Sequence, residues 1–136
     1  MFRRYHYLNT NIASACQCWG LFDEQEQIAF MGVLHQPHGK NKKIKRCSRL
    51  VVLPDYQGMG LGYLFLTKVA NYYGSKGFDF SIVTSAKNLI SKLANSNEWI
   101  MTKIGVQRCS SKKSAIDYNR PSMRTNCKTA SFMLKK

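Results

Sequence analysis

One run sets the architecture of this 136-residue chain: Arg49-Leu50-Val51-Val52-Leu53-Pro54-Asp55-Tyr56-Gln57-Gly58-Met59-Gly60-Leu61-Gly62. Residues 50–53 are apolar with two valines at their centre, which predicts a short strand. Pro54 has no N–H to donate to a sheet and therefore marks the end of that strand. A turn with three glycines follows, and apolar residues then recur at helical spacing over residues 63–73. The run thus predicts a strand, a glycine-rich turn with few side chains (a bare turn) and a helix in direct succession.

A bare turn that leads into a helix N-terminus is suited to binding an anion. Unpaired backbone N–H groups and the positive end of the helix dipole converge there. Glycines are needed at Gly58, Gly60 and Gly62 because a Cβ would keep a phosphate away from those N–H groups. A dinucleotide fingerprint requires a glycine where Tyr63 stands, and the Gly-Lys-Ser/Thr of a P-loop is absent. A purely structural turn is the remaining alternative.

The periodicity of the whole chain predicts one α+β (mixed α/β) domain, residues 1–136, around a single sheet of about six strands. An antiparallel hairpin comes first, and a β-α-β-α unit with a right-handed crossover follows. The predicted strands are 15–22, 27–34, 43–53, 78–84, 98–104 and, as a closing edge strand, 130–134. The predicted helices are 60–73 and 88–95, the second capped by Ser85 or Ala86. Residues 110–128 are polar and basic, which predicts a flexible loop.

Composition indicates a globular chain, since 44% of its residues are hydrophobic. No apolar run approaches the roughly 18 residues that a membrane span requires. The first residues, Met1-Phe2-Arg3-Arg4-Tyr5-His6, lack the apolar segment of a signal peptide. These features predict a cytoplasmic protein without a membrane partner.

The net charge is +14, from 21 basic and 7 acidic residues, and it is unevenly distributed. Such a surface favours nucleic acid or another polyanion, although a solvated basic face is the alternative. Basic residues are concentrated in two stretches. The second is the tail after Glu98, which contains a single acidic residue, Asp117. The first contains Lys40, Lys42, Lys43, Lys45, Arg46 and Arg49.

The cysteines and histidines do not form a recognisable metal pattern. The five cysteines are an odd number, and their spacings match no zinc motif. Three histidines are too few and too poorly spaced to supply one. We therefore expect reduced thiols and no metal. The cysteines are Cys16, Cys18, Cys47, Cys109 and Cys127.

The glycine turn resembles the signature of the GNAT acyltransferase superfamily. Gln57-Gly58-Met59-Gly60-Leu61-Gly62 fits Q/R-x-x-G-x-G/A, and Val52-x-Pro54 stands where that family has V-x-P. The element order over residues 15–101 fits as well. Within the superfamily, the chain looks most like GNAT domains of phages and mobile elements or fused to transporter-type ATPases. Those domains share the Tyr5-His6-Tyr7-Leu8 element and the Arg49 to Gly58 run.

This resemblance implies that the cofactor is acetyl-CoA or another acyl-CoA. By the family pattern, the turn would hold the pyrophosphate, the strand before it would pair with the pantetheine amides, and the second helix would add a contact. The implied cofactor-binding residues are Leu50, Val51, Val52, Gln57, Gly58, Met59, Gly60, Leu61, Gly62 and Asn88.

The chain departs from the family where proton transfer is expected. Ser48 stands where many members have a glutamate, and Ala94 where many have a tyrosine. The N-terminal strand and helix of the family are shortened, so a partner chain, including a second copy in a homodimer, could complete the substrate side. Catalytic candidates are His6, Ser48 and Ser85, with His35, His38 and Asn95 as weaker ones.

Three functions are consistent with these residues. The first is an acyl-CoA-dependent N-acyltransferase that acetylates an amine on a macromolecule. The second is an enzyme that modifies a nucleobase in DNA or RNA, by analogy with phage Mom-type proteins. The third is a catalytically reduced GNAT-fold module that binds or inhibits a partner, which the missing glutamate and tyrosine favour.

Overall fold

The computed structural model describes residues 14–106 and 128–135. The predicted loop 110–128 and the predicted shortening of the N-terminal strand and helix concern residues outside these ranges, except for Lys128, which lies in a strand rather than in a loop. A 3₁₀ turn, Pro54–Tyr56, follows the third strand. The strands and helices are β1 (Gln17–Asp23), β2 (Glu26–His35), β3 (Ile44–Val52), α1 (Leu61–Ser75), β4 (Asp79–Thr84), α2 (Lys87–Ala94), β5 (Trp99–Val106) and β6 (Lys128–Leu134).

The strands form one mixed sheet in the order β1-β2-β3-β4-β6-β5. Only β3 and β4 are parallel; the other neighbouring pairs are antiparallel. This confirms the α+β fold with a hairpin first. The prediction that 130–134 forms an edge strand is wrong, because β6 lies between β4 and β5. Its Ala130 and Phe132 are almost fully buried, which a place between two strands explains.

The core lies between the sheet and α1. Helix α1 buries an apolar stripe that includes Leu66 and Ala70, both fully inaccessible to solvent. Phe80 of β4 stacks on Tyr73 of α1, with ring centroids 5.7 Å apart. Helix α2 adds the fully buried Leu93. One packed layer therefore fixes both helices on the same face of the sheet.

Strands β3 and β4 separate toward their carboxyl ends. Their pairing runs from Ile44 opposite Asp79 to Cys47 opposite Ile82, and β3 then continues for five residues to Val52. The pairing of β3 with β2 shifts register at this point, since Cys47 lies opposite Val33 while Arg49 lies opposite Gly32. The extra residue makes a bulge, which bends a strand and increases its twist. The result is a gap between β3 and β4 that opens toward the glycine turn.

The helix boundaries agree with the prediction to within two residues. Helix α1 begins one residue later than predicted because Gly60 is its N-cap. The N-cap of α2 is Ala86, whose side chain makes no cap, and the hydroxyl of Thr84 accepts the Ala86 N–H at 3.2 Å. Of the two predicted N-cap positions, Ala86 is therefore confirmed and Ser85 is not. Neither α1 nor α2 has the length and apolarity to cross a bilayer.

Candidate functional site

A cleft of about 570 Å³ lies at the carboxyl end of β3, between the glycine turn and the start of α2. In a sheet with parallel strands, ligands bind in crevices at these ends. Of the predicted cofactor-binding residues, Met59 and Val51 do not line the cleft: Met59 is exposed and Val51 is buried opposite Phe30. The lining residues are Leu50, Val52, Tyr56, Gln57, Gly58, Gly60, Leu61, Gly62, Tyr63, Ala86, Asn88, Leu89, Ser91 and Lys92.

The turn requires glycine at two of its positions. Gly58 has φ +85° and Gly60 has φ +80°, in the left-handed region that costs other residues about 1–2 kcal/mol. Gly60 caps α1 without a side chain, and the first turn of the helix contains no acidic residue. The N–H groups of that turn therefore keep their capacity to bind an anion from outside the helix.

A lysine from α2 lies against this turn. A Cβ built on Gly60 would lie 2.6 Å from Nζ of Lys92, so glycine leaves room for the ammonium group. A positive charge thus lies beside bare N–H groups at a helix N-terminus, which is the donor set that a phosphate needs. Sequence reasoning missed Lys92, although its i, i+4 spacing from Asn88 places both residues on one face of α2.

Gln57 ties the glycine turn to the end of β3. Its Nε2 donates to the Val52 carbonyl at 2.9 Å, and its backbone N–H donates to the Pro54 carbonyl at 3.1 Å. The preceding Tyr56 donates to Asp23 Oδ2 at 3.5 Å. Burial and then the negative charge of Asp23 raise the pKa of the Tyr56 phenol, so it stays protonated at neutral pH. These contacts fix the turn before any ligand arrives.

The inner wall of the cleft is apolar. A Cβ on Gly62 would lie 3.5 Å from Cγ2 of Val52 and 4.0 Å from Cδ2 of Leu50, so the start of α1 packs closely on β3. Leu89 of α2 lines the cleft as well. The cleft therefore joins a polar, cationic mouth to an apolar wall, which suits a ligand with a phosphate at one end and a neutral chain at the other.

Ser48 is the extra residue of the β3 bulge. Its hydroxyl donates to the Gly32 carbonyl at 3.1 Å, and Sγ of Cys16 lies 3.8 Å from its Oγ. The sequence indicated Cys16 only as a reduced cysteine, because its contact with Ser48 spans 32 residues. Ser48 is exposed at the point where β3 leaves β4, so a substrate can reach it.

The other catalytic candidates are dispersed. Ser85 directly follows β4 but does not line the cleft, and His6 lies outside the described residues. His35 ends β2, at the opposite end of the sheet from the glycine turn. Nδ1 of His38 accepts the backbone N–H groups of Lys40 and Asn41, so its role there is to shape a loop.

Tyr63 is a cleft residue that the sequence suggested as a possible stacking surface for nucleic acid, and whose position excluded a dinucleotide site. Its hydroxyl lies 2.7 Å from Ser96 Oγ and donates to Glu98 Oε1 at 3.3 Å. Asn71 of α1 donates to the other oxygen of Glu98 at 3.4 Å. This network joins α1 to the segment between α2 and β5 and so holds the two sides of the cleft together.

The described residues offer little basis for a thiol nucleophile or a metal site. Burial raises the pKa of the Cys47 thiol to about 12, so the thiolate that a nucleophile requires is absent at neutral pH. Burial, and then the neighbouring Cys16, also raise the pKa of Cys18. Within residues 14–106 and 128–135, no three His, Cys, Asp or Glu side chains are grouped so that they could hold a metal ion.

Comparison with known proteins gives one family and many structural neighbours. The model of the acetyltransferase (GNAT) family matches residues 1–92. No curated protein sequence matches the chain significantly.

The solved neighbours share the fold at low sequence identity. The ribosomal-protein-S18-alanine N-acetyltransferase of Escherichia coli is 15% identical with a TM-score of 0.61, over 90% of this chain and 70% of that one. An acetyltransferase of Bacillus subtilis in complex with CoA is 11% identical with a TM-score of 0.63, over 90% and 78%. A GNAT acetyltransferase of Elizabethkingia anophelis with acetyl-CoA bound is 15% identical with a TM-score of 0.60, over 90% and 77%.

Proposed function

The chain belongs to the acetyltransferase (GNAT) family, and from this premise we propose that it transfers the acetyl group of acetyl-CoA to an amine on a macromolecule. The observation that carries the proposal is the glycine turn with Lys92 against it. Acyl-CoA is the cofactor of the family, and its pyrophosphate matches the bare N–H groups and the ammonium group at the mouth of the cleft.

The residues of the cleft fit an acyl-CoA along its length. Gly58, Gly60 and Lys92 would hold the pyrophosphate, with the first N–H groups of α1. The apolar wall would flank the pantetheine chain, and Asn88 offers an amide to its polar groups. When bound, the cofactor supplies a thioester, an activated acyl group with a thiolate leaving group.

Ser48 is our candidate for orienting the acceptor. A neutral amine must lose a proton as it is acylated, and a serine hydroxyl is too weak a base to take it. Because the Ser48 hydrogen is already donated to Gly32, its oxygen has lone pairs available for an amine N–H or a water. Ser48 would thus position the amine or the water, while His6 remains the candidate for the proton transfer itself; the same weak basicity excludes Ser85 from that role as well.

We expect Ser48→Ala to reduce the rate of acetyl transfer about tenfold, the effect of losing one hydrogen bond worth about 1.4 kcal/mol. The dissociation constant of acetyl-CoA should stay unchanged, because Ser48 does not line the cleft. Both quantities are measurable, by release of free CoA and by calorimetry. Ser75→Ala is the matched control, since Ser75 is an exposed serine at the end of α1. An unchanged rate in Ser48→Ala would remove Ser48 from the mechanism.

The charge distribution favours an acidic macromolecule as the acceptor. A net charge of +14 attracts polyanions and repels basic partners. Nucleic acid is the second candidate acceptor, and the specific observation that favours it is the concentration of lysines at the amino end of β3. A nucleobase with an exocyclic amine would then take the acyl group.

The test uses acetyl-CoA labelled in the acetyl group and an extract of cells that express the protein. We expect acid-precipitable label that depends on the protein and on intact acetyl-CoA. Sensitivity to protease identifies a protein acceptor, and sensitivity to nuclease identifies the second candidate. Label confined to small molecules would contradict a macromolecular acceptor, and no acetyl-CoA binding at millimolar concentration would contradict the function as a whole.

A further inference from the structure

An aromatic recess of about 320 Å³ lies between β1, the start of β3 and the end of α1. Among the residues that line it are Trp19, Lys45, Tyr72, Tyr73, Lys76 and Phe78. Lys45 of the recess and Val52 of the cleft are seven residues apart in β3, which corresponds to about 23 Å. The recess shares no lining residue with the acyl-CoA cleft, and its Lys45 lies at the other end of β3 from the cleft.

Two lysines are held over the rings of the recess. Nζ of Lys45 lies 5.3 Å from the ring centroid of Phe78, and Nζ of Lys76 lies 4.5 Å from that of Tyr72. Cation–π attraction holds each ammonium group near its ring. Over the described ranges, neither lysine forms an ion pair with a carboxylate. Both positive charges thus remain available to an anion from solution.

Hydrogen bonds hold the rings of Trp19 and Tyr73 in place, and a ring contact holds Tyr72. Trp19 Nε1 donates to the Tyr73 hydroxyl at 3.1 Å, and that hydroxyl donates to Gln17 Oε1 at 2.7 Å. Tyr72 meets Trp19 edge to face, with centroids 4.9 Å apart, and is 42% exposed. This is a preorganised aromatic surface, and such a surface costs little further ordering when a ligand binds.

We infer that the aromatic recess binds one nucleotide of a single-stranded nucleic acid, with the base against Trp19 and Tyr72 and a phosphate at Lys45 and Lys76. Stacking on aromatic rings beside basic side chains is the general mode of single-strand binding. The partial negative charge at the end of α1 opposes an anion, but it amounts to about half a charge against two ammonium groups. Lys42 and Lys43 precede β3 and add positive charge that neighbouring phosphates of a bound nucleic-acid strand could contact.

An acidic peptide is the competing ligand, and the rings argue against it. Carboxylates would pair with the lysines but would make no use of the aromatic rings, of which Tyr72 is 42% exposed. A nucleotide uses both the charges and the rings. The inference holds whether or not nucleic acid is the acyl acceptor, because the recess shares no lining residue with the cleft and requires no acetyl-CoA.

The test measures binding of a fluorescein-labelled 12-nucleotide oligo(dT) by anisotropy, at several salt concentrations and without acetyl-CoA. Lys45→Gln with Lys76→Gln should weaken binding about tenfold and reduce the slope of log K against log salt by about 0.7, the contribution of one neutralised phosphate of a single strand. The control combines Lys68→Gln with Lys103→Gln, which has the same net charge and alters exposed lysines outside the recess. It should weaken binding less than twofold.

The aromatic contribution is tested separately. Tyr72→Leu should weaken binding about tenfold while leaving the salt slope unchanged, because stacking is lost and phosphate contacts are kept. In the wild-type protein, the oligonucleotide should quench tryptophan fluorescence through the partly buried Trp19, since Trp99 is only 3% exposed and bonded to Thr67. No quenching, equal losses in the two lysine pairs, or equal competition by polyglutamate would each overturn the inference.

Discussion

Gly60→Glu is expected to weaken acetyl-CoA binding more than 100-fold, beyond the range of calorimetry, while the protein stays folded. The new side chain begins where Nζ of Lys92 now lies, because a Cβ at this position is 2.6 Å from that atom. Its carboxylate would pair with Lys92 and place a negative charge where we propose that the pyrophosphate binds. The left-handed φ of +80° adds about 1–2 kcal/mol of backbone strain, less than the 5–15 kcal/mol that stabilises a typical domain.

Gly77→Glu is the matched control for this substitution. Gly77 has φ +81°, so the backbone strain and the change in net charge are the same, but no heavy atom lies within 4 Å of a Cβ built there. Gly77 follows α1 and is far from the cleft. We expect similar melting temperatures for the two variants and near wild-type affinity for Gly77→Glu. Equal loss of affinity in both would attribute the effect to strain or net charge and remove the turn from cofactor binding.

The glycine turn and its flanking elements were predictable because their signals are local. Pro54 ends a strand and Gly60 starts a helix through properties of their own backbones. The position of β6 was not predictable in this way, because strand order depends on contacts between distant residues. The buried Ala130 and Phe132 alternate with less buried neighbours both in an edge strand and between two strands, so periodicity alone cannot distinguish the two.

The candidate site shows the same difference between local signals and contacts that join distant residues. The residues of the turn were found from six consecutive positions, whereas the contacts of Lys92, Tyr63 and Cys16 join segments 32 or 33 residues apart. Ser48 was identified as a departure from a family pattern, but its bulge and its bond to Gly32 are properties of strand register. Sequence therefore predicts where a phosphate can approach the backbone, and tertiary structure supplies the side chains around it.

Lys92→Glu should weaken acetyl-CoA binding about 100-fold, because a charge-assisted contact worth about 1.5–3 kcal/mol is lost and a repulsive charge replaces it. The effect should disappear for S-acetylpantetheine, which has the thioester and the pantetheine chain but no pyrophosphate. Calorimetry with both ligands measures the difference. Reversing a charge in the last turn of α2 costs the helix about 0.3–1 kcal/mol, too little to unfold the domain.

Lys87→Glu is the control, since Lys87 is an exposed lysine of the same helix that does not line the cleft. The two variants have equal net charge, so a general loss of attraction for the cofactor would affect both alike. We expect Lys87→Glu to change the affinity for acetyl-CoA less than threefold. If Lys92→Glu instead weakened both ligands equally, Lys92 would act on the pantetheine chain or on the fold. Selective loss of the phosphate-bearing ligand is therefore the result that assigns the ammonium group of α2 to the pyrophosphate.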